Sequence, residues 1–273
     1  MDPTTSPGSP AAEPSQATPP YPVLCDLDGV IWLSHRPIQG SADAIARLRS
    51  AGHRVLFVTN NSASRIADQE AALAAIGIPA VGDVLSSANA AALLVEPGER
   101  VMVCGGAGIV EAITARGAVA AAEGPYDVVM VGFHRTFDYD EMCRSSAAVR
   151  AGARLIGTND DATYPTPDGP IPGGGSILAG IATASEVAPF VAGKPYGPMA
   201  SLVRVVTGLD DLRQAVMVGD RPDTDGRFAL TLGCRYAHVW SGVTVVGTVV
   251  EPTPWIEGAN LAAVADILLG TRR

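Results

Sequence analysis

The sequence predicts an α/β fold in which a parallel sheet is covered by helices on both faces. Three observations lead there. Short apolar, β-prone runs alternate with Ala/Leu-rich helical stretches beyond residue 20, the 273 residues supply material for one large or two smaller domains, and 47% of them are hydrophobic against 17% charged. The alternation is the written form of strands and helices crossing over in one parallel sheet. The composition is that of a folded globular chain.

In chain order, residues 1–20 hold Pro3, Pro7, Pro10, Pro14, Pro19 and Pro20 among Ser, Thr and Ala. Such a stretch cannot bury enough apolar surface to offset its chain entropy, so a disordered tail is expected. Strands are expected where the apolar runs fall, over 23–25, 54–59, 101–104, 127–132, 154–157, 215–219 and 235–239. Helices are expected over 42–51, 65–76, 88–95, 109–116, 139–151, 176–184, 198–206 and 225–232. Within these, Ile45 with Leu48 and Leu73 with Ile76 show the three-residue spacing of a buried helix face. From Tyr164 to Gly175 the chain reads Y-P-T-P-D-G-P-I-P-G-G-G, a run of breakers that predicts a structured loop or a crossover between domains.

Charge and cysteine usage narrow the function. A net charge of -9, from 19 basic and 28 acidic residues, repels a phosphate backbone and argues against nucleic acid as a partner. The same field disfavours an anionic metabolite unless a local cation, such as a divalent metal, offsets the carboxylates. Cys25, Cys104, Cys143 and Cys234 lie far apart without CxxC spacing and read as reduced, buried thiols. No window approaches the ~20 apolar residues of a membrane span, and the N-terminus lacks a basic region followed by an apolar one. A cytoplasmic protein with no membrane partner is therefore expected.

Four short segments can carry chemistry. The first apolar run ends in Asp26-Leu27-Asp28-Gly29. At the carboxyl end of a parallel strand, where open α/β sheets place their ligands, two carboxylates two residues apart share one side of the chain, and the glycine lets the backbone turn away. One can attack while the other gives and later takes a proton. The second run ends in Thr59-Asn60-Asn61-Ser62, whose hydroxyl, amide and backbone N–H donors can hold phosphate oxygens or cap a helix. Gly193-Lys194-Pro195 follows the apolar 190–192 and can set an ammonium against a phosphate. Finally, 215–218 leads into Gly219-Asp220-Arg221-Pro222-Asp223-Thr224-Asp225, an acidic loop able to complete an oxygen-ligand magnesium site or to begin a capped helix. Each segment alone is an ordinary turn or cap. Their succession, each directly after an apolar strand, joins them.

These four motifs, together with nearly everything beyond Tyr21, resemble the haloacid dehalogenase superfamily, and within it the phosphatases related to 4-nitrophenylphosphatase, phosphoglycolate phosphatase and glycerol-3-phosphate phosphatase. The resemblance implies a Rossmann-like parallel-sheet core with an inserted, movable α/β cap domain of the second type, and catalysis through an aspartyl-phosphate. It makes Asp26 the nucleophile and Asp28 the general acid/base, with Thr59 and Lys194 holding the phosphoryl group and Asn60 a further donor to the substrate. Magnesium would be bound by Asp26, Asp220 and the main-chain carbonyl of Asp28, with Asp225 supporting that shell.

Residues 29–58 leave room for one helix and one strand, whereas well over a hundred residues separate Thr59 from Lys194. The cap is therefore placed at 99–188, with the core at 21–98 and 189–273. Within the cap, 157–165 reads G-T-N-D-D-A-T-Y-P and resembles the segment that faces the active site, which makes Asn159, Asp161 and Tyr164 the expected specificity residues.

The expected function is hydrolysis of a small phosphorylated metabolite, glycerol 3-phosphate first, with 2-phosphoglycolate, pyridoxal phosphate or a nucleoside monophosphate as alternatives. Dehalogenation is disfavoured by Asp28 and by the acidic loop. A non-catalytic dinucleotide-binding or regulatory protein is the remaining alternative, resting on Cys104-Gly105-Gly106-Ala107-Gly108, although Glu111 stands where the fingerprint's last glycine belongs. His35, His53, His134 and His238 show no ligand spacing and read as surface or core residues. Related enzymes pair into homodimers through the cap, and no patch in the sequence decides whether this chain does.

Overall fold

Six short runs pair, all in parallel, into one sheet with the spatial order Ile256–Gly258, Arg235–Val239, Val216–Gly219, Val23–Cys25, Val55–Thr59 and Val84–Ser86. The computed structural model describes residues 20–270 other than Ser34 and Pro167. The tail expected over residues 1–20 lies, apart from Pro20, outside the described residues. Val23, Leu24 and Cys25 have no exposed surface. Burying an aliphatic side chain of this size contributes roughly 1.5–3 kcal/mol, which is how a run of three residues holds the centre of the sheet.

From that central strand the chain first steps to Val55–Thr59 on one side and returns much later to Val216–Gly219 on the other. A reversal of this kind opens a crevice at the carboxyl ends of the two diverging strands. Asp26 is the first residue beyond the central strand and Asp220 the first beyond Val216–Gly219, and the ladder runs on through the Asp26 amide, which donates to the Val218 carbonyl at 2.9 Å.

A second parallel sheet has the order Phe190–Val191, Arg154–Gly157, Val128–Val131, Arg100–Cys104 and Val119–Ala120. Its last strand falls beyond the boundary expected at residue 188, because Phe190 and Val191 pair with Ile156 and Gly157. The strand that delivers Lys194 therefore belongs to the second sheet. One apolar cluster contains Leu24, Leu56 and Val58 of the first sheet and Val101, Met130 and Ile156 of the second, so the two share a core.

The breaker-rich run folds as a two-residue antiparallel ribbon, Thr163–Tyr164 against Ile171–Pro172, and the helix Gly174–Ser185 starts inside it. The helix expected to begin at residue 225 instead begins at Arg227, because Pro222–Gly226 winds into one wide turn that keeps Asp225 at the crevice. Val84–Ser86, Ile256–Gly258 and the helix Leu261–Leu268 were not anticipated. The two strands are three-residue edge runs that only pairing defines. No described helix is long and apolar enough to cross a membrane.

The glycine run after Cys104 has a packing role. A Cβ at Gly106 would come within 2.4 Å of the Ala63 carbonyl oxygen, and one at Gly108 within 2.3 Å of that of Ser64. Glu111, in the place of the fingerprint's last glycine, accepts from the Ile66 amide at 2.8 Å and so caps the helix Ile66–Ala75. The run thus lets the helix Ala107–Ala115 approach the backbone that follows Thr59.

Candidate active site

The carboxyl ends of both sheets open on one pocket, whose walls include Asp26, Asp28, Thr59, Lys194, Asp220 and Asp225. Lys194 sits at its floor. The side chain is buried, and its Nζ donates to Asp26 Oδ1 at 2.8 Å and to Asp225 Oδ1 at 2.7 Å. Burial opposes the lysine's charge, but Asp225 and Asp26 outweigh it and hold the ammonium above its ordinary range.

One ammonium does not balance three buried carboxylates. Burial pushes Asp26 well above the usual carboxylate range against the opposing pull of Lys194, and the proximity of Asp225 and Asp220 adds to the rise. Asp220 is pushed up to about 7, first by burial and then by Asp225. Its Oδ2 accepts from the Val243 amide at 2.7 Å, whereas its Oδ1 is buried without a hydrogen-bond partner. Such an oxygen is costly unless a cation meets it.

Oxygens of Asp26, Asp220 and Asp225 lie within 4.8 Å of one another. With the three ionised and Lys194 protonated, the group carries two net negative charges, which one divalent cation cancels. An all-oxygen donor set of this kind suits magnesium or calcium rather than a softer metal. The residues present therefore fit a hard divalent ion.

Local backbone fixes the approach. Gly29 adopts φ +92, and a Cβ there would stand 2.4 Å from Asp220 Cγ, so any larger residue would strike the acidic pair's neighbour. Asp28 is half-buried at the pocket wall. Its charge, after burial, helps push the Tyr164 phenol up to about 12, which places the second carboxylate toward the second sheet's loop. Thr59, the last residue of its strand, accepts from the Asn61 amide at 3.1 Å and keeps its own O–H to donate.

Asn60 differs from expectation. Its amide protons go to Asp161 Oδ2 at 2.9 Å and to the Lys194 carbonyl at 3.0 Å, and its Oδ1 accepts from the Lys194 amide at 2.8 Å. The side chain is spent on tying the lysine loop to the strand end, which leaves it no donor for a phosphate. Asn159 is likewise engaged, donating to the Asn60 carbonyl at 2.9 Å and accepting from the Asp161 amide at 3.2 Å. Both side chains line the pocket as braces, and Asp161 and, from the ribbon, Tyr164 line it beside them.

Sequence reasoning missed three contributors. Arg221 lines the pocket with its Nη1 3.9 Å from Asp161 Oδ1. It lay in full view between Asp220 and Pro222, but nothing local told which way it points. Phe133 lines the pocket and stacks on Tyr164 with ring centroids 5.1 Å apart at 12°. Its place two residues past the strand Val128–Val131 was the signal. The Val243 amide that fixes Asp220 had no signal, since backbone donors from a distant loop leave none.

A sequence profile of the haloacid dehalogenase-like hydrolases matches residues 23–119, and a further HAD-hydrolase-like profile matches residues 191–266. The chain is 38% identical over 240 residues to a D-glycerol 3-phosphate phosphatase of Mycobacterium tuberculosis, covering 85% of this chain and 66% of that protein. It is 33% identical over 225 residues to an acid sugar phosphatase of Staphylococcus saprophyticus, covering 81% of this chain and 86% of the relative. Among solved structures, the glycerol phosphate phosphatase of Mycobacterium tuberculosis in complex with magnesium superposes with a TM-score of 0.82 at 32% identity, over 93% of this chain and 79% of that one. A second structure of that phosphatase is in complex with calcium.

Proposed function

The chain belongs to the haloacid dehalogenase-like hydrolases and is a phosphatase, and from that premise we propose that it hydrolyses a small phosphorylated metabolite, glycerol 3-phosphate first, through an aspartyl-phosphate on Asp26. The observation that carries the reading is the clamp of Lys194 between Asp26 and Asp225, beside a buried Asp220 oxygen that has no hydrogen-bond partner among the described residues.

Uncatalysed phosphate-ester hydrolysis is among the slowest reactions known, and enzymes accelerate it by up to ~10²¹-fold. Lys194 and the Thr59 hydroxyl bind charge on the equatorial oxygens of the phosphoryl group, leaving an Asp26 oxygen to attack in line. Asp28 protonates the departing alcohol and afterwards takes a proton from the water that cleaves the aspartyl-phosphate. Magnesium, held by Asp26, Asp220 and the Asp28 carbonyl with Asp225 bracing the shell, would supply the positive charge that screens the carboxylates from the phosphate. The stacked Phe133 and Tyr164 roof the pocket, where exclusion of water strengthens every charge interaction below. We read residues 99–188, extended through Val191, as the cap.

Two observations support glycerol 3-phosphate over 2-phosphoglycolate. The similarity to a D-glycerol 3-phosphate phosphatase is the first. The second is that Arg221, the one arginine among the described residues lining the pocket, faces Asp161, so the leaving-group side offers a dipolar pair suited to hydroxyls rather than a free cation suited to a carboxylate. Phosphate release should be measured with magnesium on glycerol 3-phosphate, 2-phosphoglycolate, pyridoxal phosphate, a sugar-acid phosphate and a nucleoside monophosphate, wild type beside Asp26→Asn. The highest kcat/KM is expected on glycerol 3-phosphate, with no turnover by the variant. Preference for 2-phosphoglycolate would overturn the substrate alone, and full activity in Asp26→Asn would overturn the mechanism.

A further inference from the structure

The described residues hold a second group of metal-ligating side chains, of a different chemical kind from the pocket carboxylates. Cys104 ends the strand Arg100–Cys104, His134 follows the adjacent strand Val128–Val131, and Glu141 lies in the first turn of the helix Tyr139–Arg150. Cys104 is paired opposite Val131, so the two strand ends stand side by side beneath that helix. Sequence spacing could not reveal the group, because its members come from three separate elements.

The distances come close to those of a coordination sphere. His134 Nε2 is 3.7 Å from Cys104 Sγ and 3.6 Å from Glu141 Oε2, and the three ligand atoms all fall within 4.8 Å of one another. Around a tetrahedral zinc, with Zn–S about 2.3 Å and Zn–N or Zn–O about 2.0–2.1 Å, neighbouring ligand atoms are about 3.3–3.6 Å apart. Two edges of that tetrahedron are thus nearly formed.

The surroundings also suit a metal. His134 Nδ1 is 3.2 Å from Thr136 Oγ1. When it donates there, the Nε2 lone pair faces Cys104 and Glu141, the arrangement that orients a ligating imidazole. Ser145, one turn beyond Glu141, is fully buried, with its hydroxyl directed at the Cys104 sulfur. It is placed to donate to a sulfur that has become a thiolate. The side chains of His134 and Glu141 are 12% and 17% exposed while Cys104 is wholly buried, which gives an ion a way in past the imidazole and carboxylate. A plain His134–Glu141 ion pair would not call for a third ligating atom, the Cys104 sulfur, beside it.

We propose that Cys104, His134 and Glu141 bind a zinc ion at a site separate from the hard-cation site of the pocket. Thiolate, imidazole and carboxylate together select a borderline metal such as zinc over magnesium. Binding releases the thiol proton to solvent and leaves a fourth position to water or another donor.

Cobalt(II) is the probe, added to the full-length protein in excess magnesium and followed by the near-ultraviolet thiolate-to-cobalt charge-transfer absorption, which oxygen ligands do not produce. One cobalt per chain is expected to give the band, and zinc is expected to displace it. The band should persist in Cys143→Ser and in Asp220→Asn and vanish in Cys104→Ser. Affinity should fall at least about tenfold in His134→Ala and Glu141→Gln. No band in wild type, an undiminished band in Cys104→Ser, or unchanged cobalt affinity in His134→Ala would each overturn the proposal. The histidine variant, at the rim of the site, serves if Cys104→Ser does not fold. Because the readout is a sulfur-specific absorption, it is independent of the phosphatase reading.

Discussion

The two parallel sheets reach one pocket by different routes. The six-stranded sheet delivers Asp26, Thr59 and Asp220 from the last residue of a strand or the first beyond it, where the ladder has already fixed the backbone. Further past the strand ends of the five-stranded sheet come Phe133 and Asp161 on loops and Tyr164 on the short ribbon Thr163–Tyr164. In the proposed reaction, the groups assigned to the phosphoryl oxygens, which must be placed to within a few tenths of an ångström, sit on the rigid element. The groups assigned in that proposed reaction to the variable leaving group sit on the less rigid connections. Lys194 joins the two, coming from the second sheet's edge but held in register with the first by Asn60.

That division can be broken from either side. Lys194→Met should lower kcat/KM by about 10³-fold on every phosphate ester alike, since it removes charge stabilisation that all substrates share. Phosphate-release kinetics on two unrelated esters checks this, and a loss confined to one ester would place the lysine with the specificity residues instead.

The carboxylate crowding should be visible in stability. Burial and the neighbouring Asp225 push Asp220 up from 3.8 to about 7, so between those values the folded state binds the proton more tightly than the unfolded one. Without metal, stability should therefore fall as pH rises from about 4 to about 7. Urea unfolding in EDTA checks it. Asp220→Asn should be the more stable protein at pH 7, the advantage closing toward pH 4 and disappearing when magnesium is added to wild type.

Gly29→Ala should cost about 3 kcal/mol or more, because it combines a positive φ with a clash against Asp220. A urea midpoint shift of that size is the check, and a neutral substitution would mean that the acidic turn is softer than its contacts imply.

On the other wall, Tyr164→Ala should raise KM about tenfold on the preferred substrate, with kcat changed far less, since it removes a stacked partner of Phe133 rather than a phosphate contact. An equal fall in kcat on all substrates would erase the distinction between the walls. The smallest effect belongs to the second sheet's surface. Glu99→Ala breaks the paired bonds from Arg154 and should shift unfolding by less than about 1 kcal/mol, as exposed ion pairs do.

Much of this molecule was legible because strand-end chemistry is local. Asp26, Thr59 and Asp220 each follow an apolar run that only a buried strand explains, so their convergence could be expected from the chain alone. Asn60 and Asn159 were legible as polar residues at the right places but not as braces, because an amide's partners come from elsewhere in the chain.

The sequence by itself determined the alternation, the central strand, the four motif positions and the room for a large insertion, all of which depend on the order of side chains along the backbone. Only the tertiary structure decided that Phe190–Val191 joins the second sheet, that the Val243 amide meets Asp220 and that Cys104, His134 and Glu141 stand together. Each of these is a contact between elements distant in sequence, fixed by how sheets pair and pack, and no local pattern of residues encodes it.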